Sequence, residues 1–196
     1  MDFGPLTLPT AVATLLGLLL TAGAAYLGGR TKRARSAVIR FETELRRILE
    51  DKWGIPSPAT RRIERTQIDQ ALQNAIAPYD GSNDPIRVAY TDGTWLAPIP
   101  ADVDLLRVGG MLTSILPYRP ERFDCENFAG AFRALVAFGL GTNTVGVVID
   151  WSGGHAYNVI VDADGGVTFY EPQDDRVVEV GGEEGNYQLQ NALIVF

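Results

Sequence analysis

Cys125, His155 and Glu171 are the residues whose types and order in this sequence fit nucleophilic chemistry. The chain has one cysteine and one histidine, 30 residues apart, and Glu171 follows the histidine by 16 residues. A thiolate attacks a carbonyl carbon when a neighbouring imidazole takes the thiol proton, and a carboxylate can hold that imidazole in one tautomer. The set predicts acyl transfer, with Cys125 as nucleophile, His155 as base and Glu171 as the orienting acid.

The residues around Cys125 predict a helix that begins at the cysteine. Asp124 is of a type preferred at the N-cap, and an apolar run with helical spacing extends to Leu140. Cys125 would then lie in the first turn, where the partial positive charge of the helix N-terminus stabilises a thiolate. A lone cysteine in an apolar helix also fits a small buried side chain without a chemical role.

The following segment predicts an antiparallel meander. Glycine-rich turns separate three strand-like runs: Thr144–Trp151, His155–Val161 and Val167–Glu171. His155 begins the second strand and Glu171 ends the third, so the hairpin sets the two side chains next to each other. Two shorter runs, 177–180 and 189–195, are expected to extend the sheet.

Three amides near the triad are candidates for an oxyanion or auxiliary role. Asn127 or Gln173 could supply a side-chain donor beside the backbone N–H of Cys125. Asn158 is a further polar candidate near the same edge of the predicted sheet.

Composition excludes several classes of protein. The 196 residues include one Cys and one His, which excludes a disulfide framework, a multi-Cys metal site and a His-rich metal centre. A net charge of -7 argues against a nucleic-acid partner. The balance is uneven, because residues 30–65 carry eleven bases and five acids, whereas residues 66–196 carry six bases and eighteen acids. This division predicts three regions: 1–29, 30–78 and 79–196.

The first region predicts a membrane anchor. Leu6–Gly28 holds 23 uncharged residues, which as a helix would span roughly 35 Å, enough for a bilayer core of about 30 Å. Basic residues follow directly from Arg30 onward, so the N-terminus is expected outside and the remaining chain on the inner side; in a virion, the membrane would be that of the particle. A helix buried in a soluble protein or an assembly is the alternative.

The second region predicts a basic helical stalk. Val38, Phe41, Leu45 and Leu49 recur at three- and four-residue steps, as on one face of an amphipathic helix. After a break at residues 54–58, a second helix is predicted over residues 60–77. Its basic half could contact anionic lipid or be solvated.

Three short motifs give the third region a family resemblance. The motifs are Asp124-Cys125-Glu126-Asn127-Phe128-Ala129, Gly154-His155-Ala156-Tyr157-Asn158 and Tyr170-Glu171-Pro172-Gln173. Over residues 80–196 the chain resembles a papain-like cysteine peptidase domain, closest to the C-terminal domain of fungal ricin-B-type agglutinins and to related domains of phage and archaeal-virus proteins. The resemblance implies a papain-like α+β fold, with the nucleophile helix packed on an antiparallel sheet.

The resemblance also raises the question of calcium. The agglutinin domains are calcium-dependent peptidases, but the sequence contains no recognisable ligand motif, so the metal site is left unassigned. Scattered acids make a calcium site conceivable: Asp80, Asp84, Asp92, Asp102 and Asp104. No cofactor is required for the predicted chemistry.

Together these features predict a membrane-anchored papain-like cysteine hydrolase that cleaves peptide or amide bonds. The alternatives are a catalytically silent membrane-associated structural protein of a virion or similar assembly, a peptidoglycan endopeptidase and a transglutaminase-like acyl transferase. A membrane-anchored interaction module is a further alternative. The expected partners are a lipid bilayer through residues 6–28, a peptide or cell-wall substrate, and other proteins of such an assembly.

Overall fold

The computed structural model describes residues 32–52, 54–79 and 86–196, and the chain divides into two compact units at Ser57 and Pro58. The predicted anchor, Leu6–Gly28, lies outside the described residues. Within the described ranges, no helix is both long and apolar enough to cross a membrane. We correct the predicted localisation accordingly, because neither a single-pass topology nor a bilayer partner is supported. The predicted division at residues 29/30 and 78/79 stays a prediction.

The first unit contains one described helix. This helix, α1 (Lys32–Arg47), continues into a π-helical turn over Ile48–Lys52. Leu45 and Leu49 are buried, as expected for the apolar face of the predicted stalk. An ion pair between Arg46 and Glu42, with N and O 2.9 Å apart, stabilises the helix beside this face through the favourable i,i+4 spacing.

The second unit holds the other elements. Its helices are α2 (Arg65–Ile76), a 3-10 helix (Pro100–Leu106), α3 (Arg107–Ser114), α4 (Cys125–Leu135) and a π-helical turn (Val136–Leu140). Its strands are β1 (Thr60–Glu64), β2 (Arg87–Ala89), β3 (Thr94–Pro98), β4 (Val145–Asp150), β5 (His155–Val161), β6 (Val167–Glu171), β7 (Arg176–Val177) and β8 (Ala192–Val195).

The helix predicted over residues 60–77 is wrong in its first five residues, which form β1. This strand pairs antiparallel with β3, and Ile63 lies opposite Trp95. Both side chains are buried, so the pairing places apolar surface of both strands in the core. The helix begins only after Glu64, whose carboxylate accepts the Gln67 backbone N–H while the Gln67 side chain accepts the Glu64 N–H, a capping box.

The main sheet has six strands in the order β2-β8-β4-β5-β6-β7. Strands β4 to β7 form the predicted antiparallel meander, and β8 pairs antiparallel with β4. The pair of β2 and β8 is parallel. The meander is confirmed because turns with glycine at positive φ, such as Gly154 and Gly165, reverse the chain between its strands.

Helices cover both faces of the sheet at its central strand β5. On one face Asn158 donates to the carbonyl of Ala129 in α4. On the other face Tyr157 and Val159 share a core with Ile68 of α2 and with Trp95. Six of the seven β5 residues are buried. His155, the first residue of the strand, is partly exposed at the strand's end. The strand therefore holds the histidine at a fixed point where the core meets solvent.

Candidate functional site

Glu171 is the centre of a buried hydrogen-bond cluster at the end of β6. Its side chain is 2% exposed. One oxygen, Oε2, lies 2.6 Å from Nε2 of His155 and accepts the Tyr187 hydroxyl at 2.8 Å. The other, Oε1, accepts the backbone N–H of Gln173 at 2.9 Å. A buried carboxylate is stable only when such donors replace water, so these three groups hold the charge in place.

The cluster favours the charged form of Glu171. Burial alone raises the pKa of this carboxyl, but the hydrogen bonds from His155, the Gln173 amide and Tyr187 together lower the pKa below its usual range. Glu171 is therefore ionised at neutral pH. The meander supplies this arrangement. Because β5 and β6 are antiparallel neighbours, His155 at the start of β5 and Glu171 at the end of β6 lie at the same end of the two strands.

His155 is fixed from several directions. It pairs with Asp150 across β4 and β5. Its ring meets the Tyr187 ring edge to face, with centroids 5.6 Å apart, and lies 6.3 Å from the Tyr157 ring. Because Nε2 contacts the carboxylate, Nδ1 is the nitrogen that remains for another partner.

Cys125 begins α4, as predicted, and Asp124 is its N-cap. Burial raises the pKa of the thiol above its usual value, against the opposing effect of the Ala156 backbone N–H; the neighbouring Glu126 carboxylate, 3.4 Å from the sulfur, also raises it. Among the hydrogen bonds of the described residues, none joins Cys125 to His155. The catalytic roles predicted for Cys125, His155 and Glu171 stay predictions.

The three predicted auxiliary amides make contacts within the fold. The Asn127 side chain accepts the Asp124 N–H at 3.2 Å and closes the capping box of α4. Asn158 is fully buried, and its Nδ2 donates to the carbonyls of Ala129 and Gly146 at 3.0 and 3.1 Å. Gln173 contributes its backbone N–H to Glu171. An oxyanion role for these residues stays a prediction.

Sequence reasoning missed Tyr187 and Arg176. The Tyr187 hydroxyl donates to Glu171 and accepts Nη2 of Arg176 at 3.0 Å. The Arg176 guanidinium also lies over the Tyr187 ring, 5.4 Å from its centroid. Tyr187 lies outside the predicted strands, and no spacing in the sequence links it to Glu171.

Asp150 is a third missed residue, and it stabilises the loops next to the site. It is 1% exposed and accepts the backbone N–H groups of Gly153 and Leu189 at 3.0 and 2.8 Å. It also accepts the hydroxyls of Ser152 and Tyr157. The carboxylate thus ties the turn before His155 to the segment that carries Tyr187. Its place opposite His155 in the hairpin was a usable signal.

An open pocket of about 410 Å³ adjoins Tyr187. Its lining residues are Glu179, Gly182, Glu184, Gly185, Asn186 and Tyr187. Gly181 and Gly185 have φ of 90° and 91°, in the region that favours glycine. At Gly181 a Cβ would lie 1.9 Å from the Tyr79 ring, so this loop also depends on a close approach that only glycine permits.

The calcium prediction is untested. No group of three or more His, Cys, Asp or Glu side chains that could hold a metal ion occurs in residues 32–52, 54–79 and 86–196. Asp102 is engaged within the fold, where it accepts the Ala59 N–H at 2.7 Å. Asp80 and Asp84 lie outside the described residues.

Comparison with known proteins identifies the family. The family model of the ricin-type beta-trefoil lectin C-terminal domain matches residues 59–195, so this chain belongs to that family. One similar solved structure is titled "PSL1a-E64 complex", with 23% identity, 69% of this chain and 51% of that chain covered, and a TM-score of 0.49.

A second similar structure is Polyporus squamosus lectin bound to the human-type influenza-binding epitope Neu5Aca2-6Galb1-4GlcNAc, with 23% identity, 69% and 49% coverage, and a TM-score of 0.44. The chain thus spans about half the length of these structures. No curated protein matches the chain.

The family corrects several predictions. The papain-like α+β fold class is wrong: the chain is a sheet-rich member of a lectin domain family. The cysteine hydrolase function, with its peptidase, amidase, endopeptidase and transferase versions, is also wrong, as is the membrane-associated structural alternative. The finding that overturns these predictions is the match to the lectin C-terminal domain family over residues 59–195. The resemblance to the ricin-B-type agglutinin C-terminal domain holds at the coarser level of the family.

Proposed function

We propose that this chain is a domain of a carbohydrate-binding protein and that it binds a glycan at the surface around Tyr187. The observation that carries the proposal is membership of the lectin C-terminal domain family over residues 59–195. The predicted peptide or cell-wall substrate is replaced by a glycan as the partner.

The chemistry of the surface supports the proposal. Sugar hydroxyls need fixed acceptors and donors, and an aromatic ring offers an apolar face with a polar tip. The pocket supplies carboxylates at Glu179 and Glu184, the Asn186 amide and the Tyr187 phenol. His155 and Glu171 act here as positioning residues, since they orient Tyr187 through the 2.8 Å hydrogen bond and the edge-to-face ring contact.

Trp151 is a candidate for a further sugar contact. Its side chain is 51% exposed, which is unusual for a large aromatic residue without a partner. It lies in the turn that packs on the segment carrying Asn186: a Cβ on Gly153 would lie 2.3 Å from the Asn186 carbonyl oxygen. An exposed indole ring is suited to stack on a sugar ring.

Calorimetric titration of the full chain with neutral mono- and disaccharides tests the proposal. We expect binding that Trp151→Ala and Asn186→Ala each weaken by about tenfold or more, as for anchor residues whose loss removes more than about 1.4 kcal/mol. The exposed α2 variant Gln70→Ala is the matched control and should bind as the wild type does. Absence of sugar binding in the wild type, or equal binding by all variants, would contradict the proposal.

A further inference from the structure

Asp92 and Gly93 form an exposed turn between β2 and β3. Among the hydrogen bonds of the described residues, none engages the Asp92 carboxylate or the Gly93 N–H. Apart from the neighbours of Gly93 in the chain, nothing lies within 4 Å of the position that a Cβ on this glycine would occupy. The carboxyl carbon of Asp92 and the backbone nitrogen that follows it are therefore both open to reaction.

An Asp–Gly pair can rearrange without an enzyme. The glycine nitrogen attacks the side-chain carboxyl carbon of the aspartate: the new C–N bond forms, the carboxyl C–O bond breaks, and the hydroxyl leaves with the amide proton as water. The resulting succinimide takes up one water at either carbonyl, which gives aspartate or isoaspartate. Because the reacting groups are adjacent and glycine has no Cβ to hinder the approach, the reaction needs no co-reactant besides water.

A second Asp–Gly pair, at Asp164 and Gly165, has the same chemistry in a different environment. The Gly165 N–H donates to the carbonyl of Asp162 at 3.2 Å, and the Asp164 N–H donates to Oδ1 of Asp162 at 2.8 Å. The Asp164 carboxylate is paired with Arg61. This turn has to open before the Gly165 nitrogen can attack, and local opening costs free energy that the turn at Asp92 does not require.

The residues on both sides of the exposed turn are fixed. The backbone N–H and the hydroxyl of Thr91 both donate to the carbonyl of Phe196, at 2.9 and 2.7 Å. On the other side, Thr94 pairs with Glu64 in the ladder of β1 and β3. An isoaspartate adds one carbon to the backbone, and the fixed ends confine this extra length to residues 92 and 93.

The charge of Asp92 acts on Arg133 in α4. Burial lowers the pKa of the Arg133 guanidinium, and the Asp92 carboxylate acts in the opposite direction. Nη1 of Arg133 donates to the carbonyl of Val195 at 3.2 Å, which holds the cation at the end of β8. In isoaspartate the free carboxylate is attached to Cα instead of Cβ, so the rearrangement moves the charge that acts on Arg133.

We propose that Asp92 is a site of spontaneous isomerisation to isoaspartate, which the fold leaves open at Asp92 and Gly93 and suppresses at Asp164 and Gly165. The modification is independent of glycan binding. It changes both the length of the backbone and the position of one charge. An enzyme that methylates isoaspartyl carboxylates, with S-adenosylmethionine as the methyl donor, is the class of partner that would recognise the product.

The test ages the full chain at neutral pH and maps isoaspartate in tryptic peptides by electron-transfer fragmentation. Trypsin separates the two Asp–Gly pairs into residues 88–107 and 134–176. We expect isoaspartate to accumulate at Asp92 at least about tenfold faster than at Asp164, the ratio that an opening free energy of about 1.4 kcal/mol would give.

Two controls separate the effect of the fold from that of the local sequence. In a chain kept unfolded in guanidinium chloride, the rates at Asp92 and Asp164 should become similar. In Gly93→Ala the new methyl has open space, and isoaspartate at Asp92 should form several times more slowly while the rate at Asp164 is unchanged. Equal rates at the two sites in the folded chain, an unchanged rate at Asp92 in Gly93→Ala, or absence of isoaspartate at Asp92 would overturn the proposal.

Discussion

Replacing Glu171 by Gln should cost about 3 kcal/mol in the free energy of unfolding. The carboxylate accepts three hydrogen bonds, from His155, Tyr187 and the Gln173 amide, and its side chain is 2% exposed. A bond to a charged acceptor contributes about 1 kcal/mol more than a neutral one, so the loss over three bonds is about 3 kcal/mol. In addition, the amide NH2 of Gln would face one donor at close range.

Urea denaturation at pH 7 measures this loss, with Glu183→Gln as the control that removes an exposed carboxylate from the nearby loop. In a thermal scan under the same conditions, the expected fall in the melting temperature of Glu171→Gln is about 10 °C for a chain of this size. The control should stay within about 0.5 kcal/mol of the wild type. A Glu171→Gln variant as stable as the control would refute the view that this carboxylate organises the site.

The charge on Glu171 predicts that the stability difference between wild type and Glu171→Gln depends on pH. The folded-state pKa of Glu171 lies below its usual value of 4.5, so its ionised form contributes stability that is fully present above pH 4.5. That contribution is lost as the pH falls through the lower, folded-state pKa. The difference in stability between wild type and Glu171→Gln should therefore shrink as the pH falls below about 4.5. A difference that stays constant over this range would contradict a stabilising role for the ionised carboxylate.

Three further predictions concern neighbouring residues. Gly181→Ala should destabilise the chain by about 1–3 kcal/mol in chemical denaturation, because φ is 90° and the new methyl would meet the Tyr79 ring; the exposed Gly93→Ala, with open space around its Cβ, is the control. Asp150→Asn should cost about 2–4 kcal/mol, since one amide donor would face the Gly153 or Leu189 N–H, and a variant of wild-type stability would argue against its supporting role. Iodoacetamide labelling of Cys125 should titrate above the ~8.5 of a free thiol, because burial raises the pKa of this thiol, and a midpoint well below that value would reopen nucleophilic chemistry.

Local signals in the sequence predicted the elements near the site well. Asp124 before an apolar run located the start of α4, and glycine-rich turns located β4, β5 and β6. The hairpin register then placed His155 beside Glu171, because pairing of neighbouring strands is fixed once the turn is known. These successes depend on contacts between residues that are close in the chain.

Such local signals do not predict contacts between segments that are distant in the chain. Residues 60–64 follow a helical pattern, but pairing with β3, about 30 residues later in the chain, makes them a strand. Tyr187 reaches Glu171 through a loop whose path depends on Gly181 and on the Asp150 contacts. Neither partner can be found from spacing alone, since the loop has no regular periodicity.

The error in function has a similar physical origin. The motifs that carried the peptidase resemblance contain residues that the fold itself requires: Asp124 and Asn127 cap α4, and Asn158 joins this helix to the sheet. Residues that cap α4 and join it to the sheet therefore do not by themselves establish a reactive thiol. The function has to be argued from the family, whose model matches residues 59–195, and not from three short motifs whose members have structural contacts of their own.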